Sequence, residues 1–211
     1  EVIEGLDAMI DAPASDPIER FFPVTEDNIV EYLTGDWLSE TKAFASPNMV
    51  NEAEMMKYLG RVDEAGEYFR WTVELTQAEI IEALKKRAGL DNVYEVTKFV
   101  PMDRGRSGRL KKVEVQYRTA KDKNPRSHFL NSEYDIRAGL SPSFLFSSMF
   151  ILEENLTEDG HLKSIILRGG GWGHGAGLCQ IGGLGRALAG QSYEEILMAY
   201  FSNVTLEKIY D

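Results

Sequence analysis

One stretch of the chain, residues 169–190, constrains the fold more than any other because it is built largely from glycine. It reads GGGWGHGAGLCQIGGLGRALAG and holds ten of the 19 glycines in the 211-residue chain. Glycine at this density indicates backbone that adopts positive φ, or that lies too close to other atoms to carry a Cβ. The stretch also holds the single cysteine, Cys179, and one of three histidines, His174. We therefore expect a loop whose shape places His174, Cys179 and Gln180.

Composition and charge narrow the classes of partner. With 43% hydrophobic residues the chain can bury a core, and no run approaches the roughly 18 apolar residues of a membrane-spanning helix. The net charge is −11, and residues 1–100 carry 21 acidic against 9 basic side chains. Because nucleic-acid affinity depends on basic groups that displace counterions, no nucleic-acid partner is expected. Residues 101–126 hold nine Lys and Arg, which indicate either a patch for an anionic polymer or, as we favour, a charged hairpin edge.

Strand and helix patterns interleave along the chain. Residues 69–75 alternate apolar and polar side chains, as a half-buried strand does, and Thr76 with Glu79 forms a capping box for a following helix that ends at Gly89. Further strands are predicted at 110–117, 127–134, 143–152, 162–168 and 204–210, and further helices at 26–34, 51–59 and 178–189, with a second capping box at Ser192 and Glu195. These elements predict an α+β fold with a mixed, largely antiparallel sheet, flanking helices and a glycine-rich loop that leads into a helix. We expect an acidic lead-in with a helical insertion over 1–68 and a domain over 69–211, together as one compact unit.

The glycine-rich loop lacks what two familiar ligand sites require. A phosphate or dinucleotide loop needs a following Lys-Ser/Thr or an acidic residue about twenty positions on, and neither is present. A zinc site needs three or four ligands, whereas His174 and Cys179 supply two. No cofactor and no metal are therefore expected.

The thiol of Cys179 offers a third chemistry. A helix N-terminus favours the thiolate, and His174 would serve as its base in a Cys-His peptidase or amidase. Alternatively, Cys179 is a small buried residue under the loop and His174 bonds to backbone. The residue types alone leave both interpretations open.

The end of the chain resembles a known family. Residues 171–190, GWGHGAGLCQIGGLGRALAG, with the following QSYEEILMAYFSNVTLEKIY, are similar to the C-terminal signature of the stage II sporulation protein D family, also called the amidase-enhancer family (SpoIID/LytB). That signature is G-x-G-H-G-x-G-[ML]-[SC]-Q-x-G-A, followed by a Tyr-x-x-Ile-Leu-x-x-Tyr-Tyr helix. Trp71-Thr72-Val73, Ser107-Gly108-Arg109 and Ile136-Arg137-x-x-Leu140 also match in order and spacing. The resemblance covers about residues 67–211.

The resemblance implies a function in the bacterial cell envelope. Members of that family act on peptidoglycan as lytic transglycosylases or as helpers of wall amidases. One Glu protonates the glycosidic oxygen and then takes the proton of the sugar's own C6 hydroxyl. The family carries this Glu in a G-V-V-x-x-E-M-P segment, and Asp11 within residues 8–15, AMIDAPAS, is not in its register. The catalytic acid and a signal sequence are therefore expected upstream of this chain.

We predict a domain directed at the glycan strands of peptidoglycan. Its substrate cleft is expected to include His174, Cys179, Gln180, Gly173 and Gly175. The Cys-His peptidase or amidase that uses Cys179 and His174 is one alternative. A non-catalytic scaffold that recruits a wall amidase is another.

Overall fold

The computed structural model describes residues 8–60 and 67–209, and within them the chain forms two compact units. The sheet unit comprises Pro23–Thr34 and Arg70–His174. The helical unit comprises residues 8–22, 35–60, 67–69 and 175–209. The division into 1–68 and 69–211 stays a prediction.

Six α-helices and six strands account for most of the regular structure in these described residues. The helices are α1 (Ile29–Thr34), α2 (Met55–Leu59), α3 (Gln77–Ala88), α4 (Glu133–Leu140), α5 (Gln180–Leu188) and α6 (Tyr193–Tyr200). The strands are β1 (Arg70–Thr76), β2 (Val93–Arg104), β3 (Leu110–Thr119), β4 (Asp122–Leu130), β5 (Phe150–Leu156) and β6 (Leu162–Gly170). Three short 3-10 helices, Pro17–Phe21, Asp36–Ser39 and Glu52–Glu54, belong to the helical unit.

The strands of the sheet unit form two three-stranded sheets. One has the order β1-β6-β5 and the other β2-β3-β4, with every neighbouring pair antiparallel. The predicted α+β fold with largely antiparallel pairing is confirmed, and its strands are divided between two sheets. Gly169, near the end of the central strand β6, pairs with Trp71 of β1 and Phe150 of β5. The glycine-rich stretch therefore begins inside a sheet.

One apolar core connects the two sheets with α3 and α4. Its buried members include Trp71, Leu75, Ile80, Leu84, Val96, Val115, Leu130, Ile136, Phe150, Ile165 and Leu167. The predicted alternation of β1 is confirmed, since Trp71 and Leu75 are buried whereas Thr72 and Glu74 are exposed. Burying each large side chain of this kind contributes about 1.5–3 kcal/mol, so the core is the main stabilising feature of the sheet unit.

Both predicted capping boxes are present. Thr76 precedes α3, its hydroxyl accepts from the backbone N–H of Glu79, and the Glu79 carboxylate accepts from the backbone N–H of Thr76. Ser192 and Glu195 make the same reciprocal pair before α6. Gly89 ends α3 with φ 67°, as its position in the sequence predicts.

Three predicted strands differ from the structure. The strand predicted at 127–134 is β4, which spans Asp122–Leu130, and residues 133 and 134 already belong to α4. Residues 143–149 are not strand, because Pro142 and the left-handed Phe144, at φ 72°, turn the backbone before β5 starts at Phe150. Residues 204–209 form no strand either, and Tyr210 lies outside the described residues. Conversely, β2 is a strand that the sequence analysis did not predict, because residues 93–104 do not alternate cleanly between apolar and polar side chains. Its register against β3 shifts at several points, which breaks the period of two.

The helical unit is held by polar contacts between separate segments. The buried carboxylate of Asp16 accepts from the Thr41 hydroxyl at 2.5 Å and from the backbone N–H of Lys42 at 2.6 Å. Beside this contact Phe21 lies against Trp37, with ring centroids 5.2 Å apart. A buried carboxylate with several donors thus joins separate segments of this unit, alongside buried apolar side chains such as Phe21, Val50 and Met55.

The described helices of both units are unlike membrane-spanning segments. Across residues 8–60 and 67–209, every helix is too short or too polar to cross a bilayer.

Candidate functional site

The first half of the glycine-rich loop, residues 169–174, is fixed to the sheet unit by its backbone. The N–H of Gly173 donates to the Phe146 carbonyl at 2.8 Å, and the Trp71 indole N–H donates to the Gly171 carbonyl at 3.1 Å. The Arg109 guanidinium donates to the Gly173 carbonyl at 3.3 Å. This half of the loop ends at His174, whose side chain is exposed.

The second half of the loop, residues 175–179, belongs to the helical unit and leads into α5. Cys179 is the N-cap of α5, and its Sγ accepts from the backbone N–H of Gly182 at 3.3 Å. Both Cys179 and Gln180 are exposed. The placement of Cys179 at a helix start is thus confirmed, whereas the alternative of a buried Cys179 is wrong, because its sulfur caps the helix at the surface.

The spacing of the loop glycines has a backbone explanation. Every second residue is left-handed, with φ of 65° at Gly171, 73° at Gly173, 70° at Gly175 and 74° at Gly177. Residues with a Cβ adopt this region only at a cost, so the Gly-x-Gly repeat specifies the shape of the loop. The prediction of positive φ in this stretch is confirmed.

A buried polar cluster lies behind the start of α5. The Arg186 guanidinium donates to Asp11 Oδ1 from Nε at 2.9 Å and from Nη2 at 2.8 Å. The Tyr200 hydroxyl donates to Asp11 Oδ2, and Arg186 Nη1 donates to the side-chain oxygen of Gln191 at 3.0 Å. The side chains of Arg186 and Asp11 are 10% and 19% exposed. We call Asp11, Arg186, Gln191 and Tyr200 the Asp11 cluster.

The glycines inside α5 allow this cluster to form. A Cβ at Gly182 would overlap the Tyr200 hydroxyl and the Asp11 carboxylate, and a Cβ at Gly185 would overlap the backbone carbonyl of Phe44. Residues 11 and 44 are themselves joined, since the Phe44 N–H donates to the Asp11 carbonyl at 2.9 Å. Glycine lowers helix propensity, so its presence inside α5 is explained by close approach.

The electrostatics of the cluster favour a neutral phenol. Burial, followed by the hydrogen bond and the negative charge of Asp11, raises the pKa of the Tyr200 hydroxyl far above its ordinary value. Tyr200 therefore remains a hydrogen-bond donor across the physiological range. Opposite it, the Arg186 guanidinium lies 4.2 Å from the centre of the Phe44 ring, a cation–π contact that adds to its ion pair.

Reasoning from the sequence set Asp11 aside, yet the structure brings its carboxylate to α5 across 175 positions of chain. The residues around Asp11 contain no sequence pattern that predicts this contact. The available signal was in α5, where Arg186 is the one charged residue of a helix rich in glycine. A buried Arg requires an anionic partner. Since α5 itself contains no acidic residue, that partner had to be a carboxylate from elsewhere in the chain.

The predicted cleft residues are divided between the units. Gly173 and His174 lie in the sheet unit, and Gly175, Cys179 and Gln180 lie in the helical unit. The geometry of each unit by itself supplies no thiol–imidazole pair, because His128, His161 and His174 all belong to the sheet unit. Among the described residues, no three His, Cys, Asp or Glu side chains are grouped to hold a metal ion. A single cleft formed by the five residues stays a prediction.

The two-sheet α+β architecture and the anchored glycine-rich loop define the class of the protein, and sequence comparison supplies its family. The family model described as a domain of unknown function (DUF8618) matches residues 22–177. This is well over half of the chain, which therefore belongs to that family. The match contains the whole sheet unit and ends two residues before Cys179.

A curated relative carries no named activity. An uncharacterized protein of Brachyspira hyodysenteriae is 38% identical to this chain over 72 residues. The matched stretch is 34% of this chain and 18% of the relative. The chain thus matches less than a fifth of the length of that protein.

Proposed function

We propose that this chain is a domain directed at the glycan strands of bacterial peptidoglycan. The observation that carries the proposal is the loop of alternating left-handed glycines, which leads to the exposed Cys179 and Gln180 at the start of α5. The same residues carry the resemblance to the SpoIID/LytB family. The cell envelope is the location that this proposal implies.

The exposed groups of the loop suit a neutral polyhydroxyl ligand. Gln180 carries both a donor and an acceptor, and the exposed imidazole of His174 also combines a donor and an acceptor when neutral. Glycine backbone allows a ligand to approach N–H and C=O groups that a Cβ would shield. Sugar hydroxyls and acetamido groups are recognised by short hydrogen-bonding groups of this kind, and each unit supplies one by itself.

The hydrogen bonds that Asp11 accepts favour glycan binding, and not proton transfer, as the role of this chain. Lytic transglycosylase chemistry begins with a protonated carboxylic acid. The two side-chain oxygens of Asp11 accept hydrogen bonds from Arg186 and Tyr200, so both are already engaged by partners within the helical unit. We therefore assign Asp11 a positioning role behind α5 and expect the acid of the reaction to come from another segment.

Co-sedimentation with purified peptidoglycan sacculi tests the binding function. The chain should appear in the pellet, and Gln180→Ala and His174→Ala should lower the bound fraction. Asn124→Ala is the matched control, because Asn124 is an exposed amide on β4 in a different part of the chain. A chain that stays in the supernatant would remove the proposal.

Mass spectrometry of the digested sacculi tests the assignment of Asp11. We expect no 1,6-anhydro sugar ends after incubation with this chain. If such ends form and Asp11→Asn abolishes them while the variant still sediments with sacculi, Asp11 is the acid and the positioning role is incorrect.

The exposure of Cys179 at a helix N-terminus supports a second candidate, thiol-dependent hydrolysis of peptidoglycan peptides. Iodoacetamide treatment of the native chain, followed by a peptidase assay on stem peptides, tests it. Loss of a measurable activity on alkylation and in Cys179→Ser would favour this candidate. An alkylated chain that still binds sacculi, with no peptide cleavage before or after treatment, would leave the glycan-binding function alone.

A further inference from the structure

Four aromatic side chains of the sheet unit form two ring pairs, one of which includes Trp172 of the glycine-rich loop. Trp172 stacks on Phe146 with ring centroids 4.9 Å apart and an interplanar angle of 12°. Tyr134, on α4, lies 5.2 Å from Phe144. Positions 144 and 146 are two residues apart, so their Cα atoms are separated by at most about 7 Å. We call Tyr134, Phe144, Phe146 and Trp172 the aromatic platform.

The aromatic platform retains surface that the core does not use. Tyr134 is 63% exposed, and the other three rings are half-buried. Phe146 and Trp172 rest on the edge of the core through Trp71, whose ring lies 5.6 Å from that of Phe146. Phe146 and Trp172 therefore extend from the buried Trp71 towards the surface, and Tyr134 exposes the second pair to solvent.

The backbone and two arginines hold these rings in place. The Phe146 carbonyl accepts from Gly173, and the Trp172 carbonyl accepts from Arg109 at 3.4 Å. Arg137 donates to the Leu145 carbonyl at 2.7 Å, and its guanidinium lies 4.3 Å from the centre of the Phe144 ring. A ligand that binds rings already fixed loses little side-chain entropy.

Phe144 occupies its position at an energetic cost. Its φ is 72°, a region that a bulky side chain rarely adopts and that glycine or asparagine would adopt more easily. The irregular segment between α4 and β5 thus carries an aromatic ring where the backbone alone would favour a small residue. Strain of this kind is concentrated at ligand-binding sites.

The charge around the aromatic platform suits a neutral ligand. Arg137, the cation that touches Phe144, is paired with Glu133 at 2.7 Å. Phosphate polymers require cations that are available to them, whereas the C–H face of a pyranose ring packs on an uncharged aromatic face. Rigid Trp and Tyr rings also provide large contact areas with few rotatable bonds.

We propose that the aromatic platform is a sugar-binding subsite for a neutral, N-acetylated glycan. The inference rests on the proposed function, because it assigns to the same polymer a contact in the sheet unit. It also places three of the four contact residues, Tyr134, Phe144 and Phe146, outside the glycine-rich loop motif.

Isothermal titration calorimetry of the full chain with chito-oligosaccharides tests the subsite, and sacculi co-sedimentation is run in parallel. We expect Tyr134→Ala and Trp172→Ala each to weaken chito-oligosaccharide binding about tenfold, the effect of an aromatic contact worth about 1.4 kcal/mol. Tyr134→Phe should retain affinity, since stacking needs the ring and not the hydroxyl. Tyr94→Ala is the control, because Tyr94 on β2 is 69% exposed and lies outside the aromatic platform.

The outcomes separate the two proposals. If the wild-type chain sediments with sacculi while Tyr134→Ala and Trp172→Ala bind chito-oligosaccharides as the wild type does, the subsite is wrong and the proposed function stands. If the wild-type chain binds neither probe, both fail. Binding of a proline-rich peptide in place of the sugar, sensitive to the same substitutions, would also overturn the subsite. If Trp172→Ala does not fold, Tyr134→Ala alone tests the subsite, because Tyr134 is largely exposed and its loss should not unfold the chain.

Discussion

The two units of this protein differ in the contacts that join their segments. The sheet unit is formed mostly by one continuous stretch, Arg70–His174, and encloses a core of apolar side chains drawn from every strand. The helical unit assembles segments from both ends and the middle of the chain. Its contacts between distant segments include carboxylates with several donors, at Asp16 and Asp11.

This difference determines how each unit responds to substitution. Apolar burial is non-directional and spread over many residues, so its loss scales with the volume removed. A buried polar cluster depends on complete pairing, and removal of one member leaves the others desolvated without a partner. Fluorotryptophan NMR can observe the units separately, because Trp37 lies in the helical unit and Trp71 and Trp172 lie in the sheet unit.

The largest expected effect is on the sheet unit. Ile165 is fully buried in the central strand β6, and Ile165→Ala should lower the free energy of unfolding by about 4 kcal/mol. Urea denaturation monitored by the Trp71 resonance measures the loss. Lys163→Ala, at an exposed position of the same strand, is the control. Equal midpoints for the two variants would contradict a core that depends on β6.

In the helical unit, Arg186→Ala should cost about 3 kcal/mol, because it leaves the Asp11 carboxylate desolvated and without its cation. The Trp37 resonance reports this unfolding. The matched control is Arg168→Ala, whose ion pair with Glu153 at 3.0 Å is on the surface and should contribute less than about 1 kcal/mol. The double variant with Asp11→Ala should lose less than the sum of the single losses. Strict additivity would mean that the two residues do not stabilise each other.

The sequence predicted those parts of the structure that depend on local pattern. The alternation of β1, the capping boxes at Thr76 and Ser192 and the left-handed glycines of the loop each follow from residues within a few positions of one another. Each of these predictions is confirmed. They succeed because side-chain period, hydrogen bonding or steric clashes between nearby residues exclude the competing conformations.

The features that the sequence did not predict depend on residues far apart in the chain, or on strands whose apolar–polar alternation is interrupted. Register shifts interrupt the alternation of β2, and the apolar run at 143–149 is turned by a left-handed Phe144. The contact of Asp11 with α5 requires a partner 175 positions away, which no window of the sequence contains. The five predicted cleft residues were found by motif, whereas the aromatic platform combines positions on α4, the following segment and the loop.

Tyr200→Phe should produce a smaller effect with a distinct dependence on pH. Loss of the hydroxyl that donates to Asp11 should cost about 2 kcal/mol near neutral pH. Since the folded pKa of Tyr200 is raised, its contribution is complete below the ordinary tyrosine value of about 10 and is lost as the pH rises above it. Urea midpoints of the Trp37 resonance, at neutral pH and above pH 10, should therefore converge for wild type and Tyr200→Phe. Tyr94→Phe is the control, and a constant difference between wild type and Tyr200→Phe at both pH values would contradict the role of the hydroxyl.

The smallest expected effect comes from removing the N-cap of a capping box, a motif that is present in both units. Thr76→Ala removes the cap of α3 in the sheet unit, and Ser192→Ala removes the cap of α6 in the helical unit. Each should cost about 1 kcal/mol, the typical value for an N-cap. Thr76→Ser and Ser192→Thr keep the hydroxyl and should restore most of the loss. The Trp71 resonance should respond to the first substitution and the Trp37 resonance to the second, since each reporter lies in the unit whose helix loses its cap. A response of both reporters to either substitution would mean that the two units unfold together, and the contrast between an apolar core and a polar cluster would then describe their contacts but not their stability.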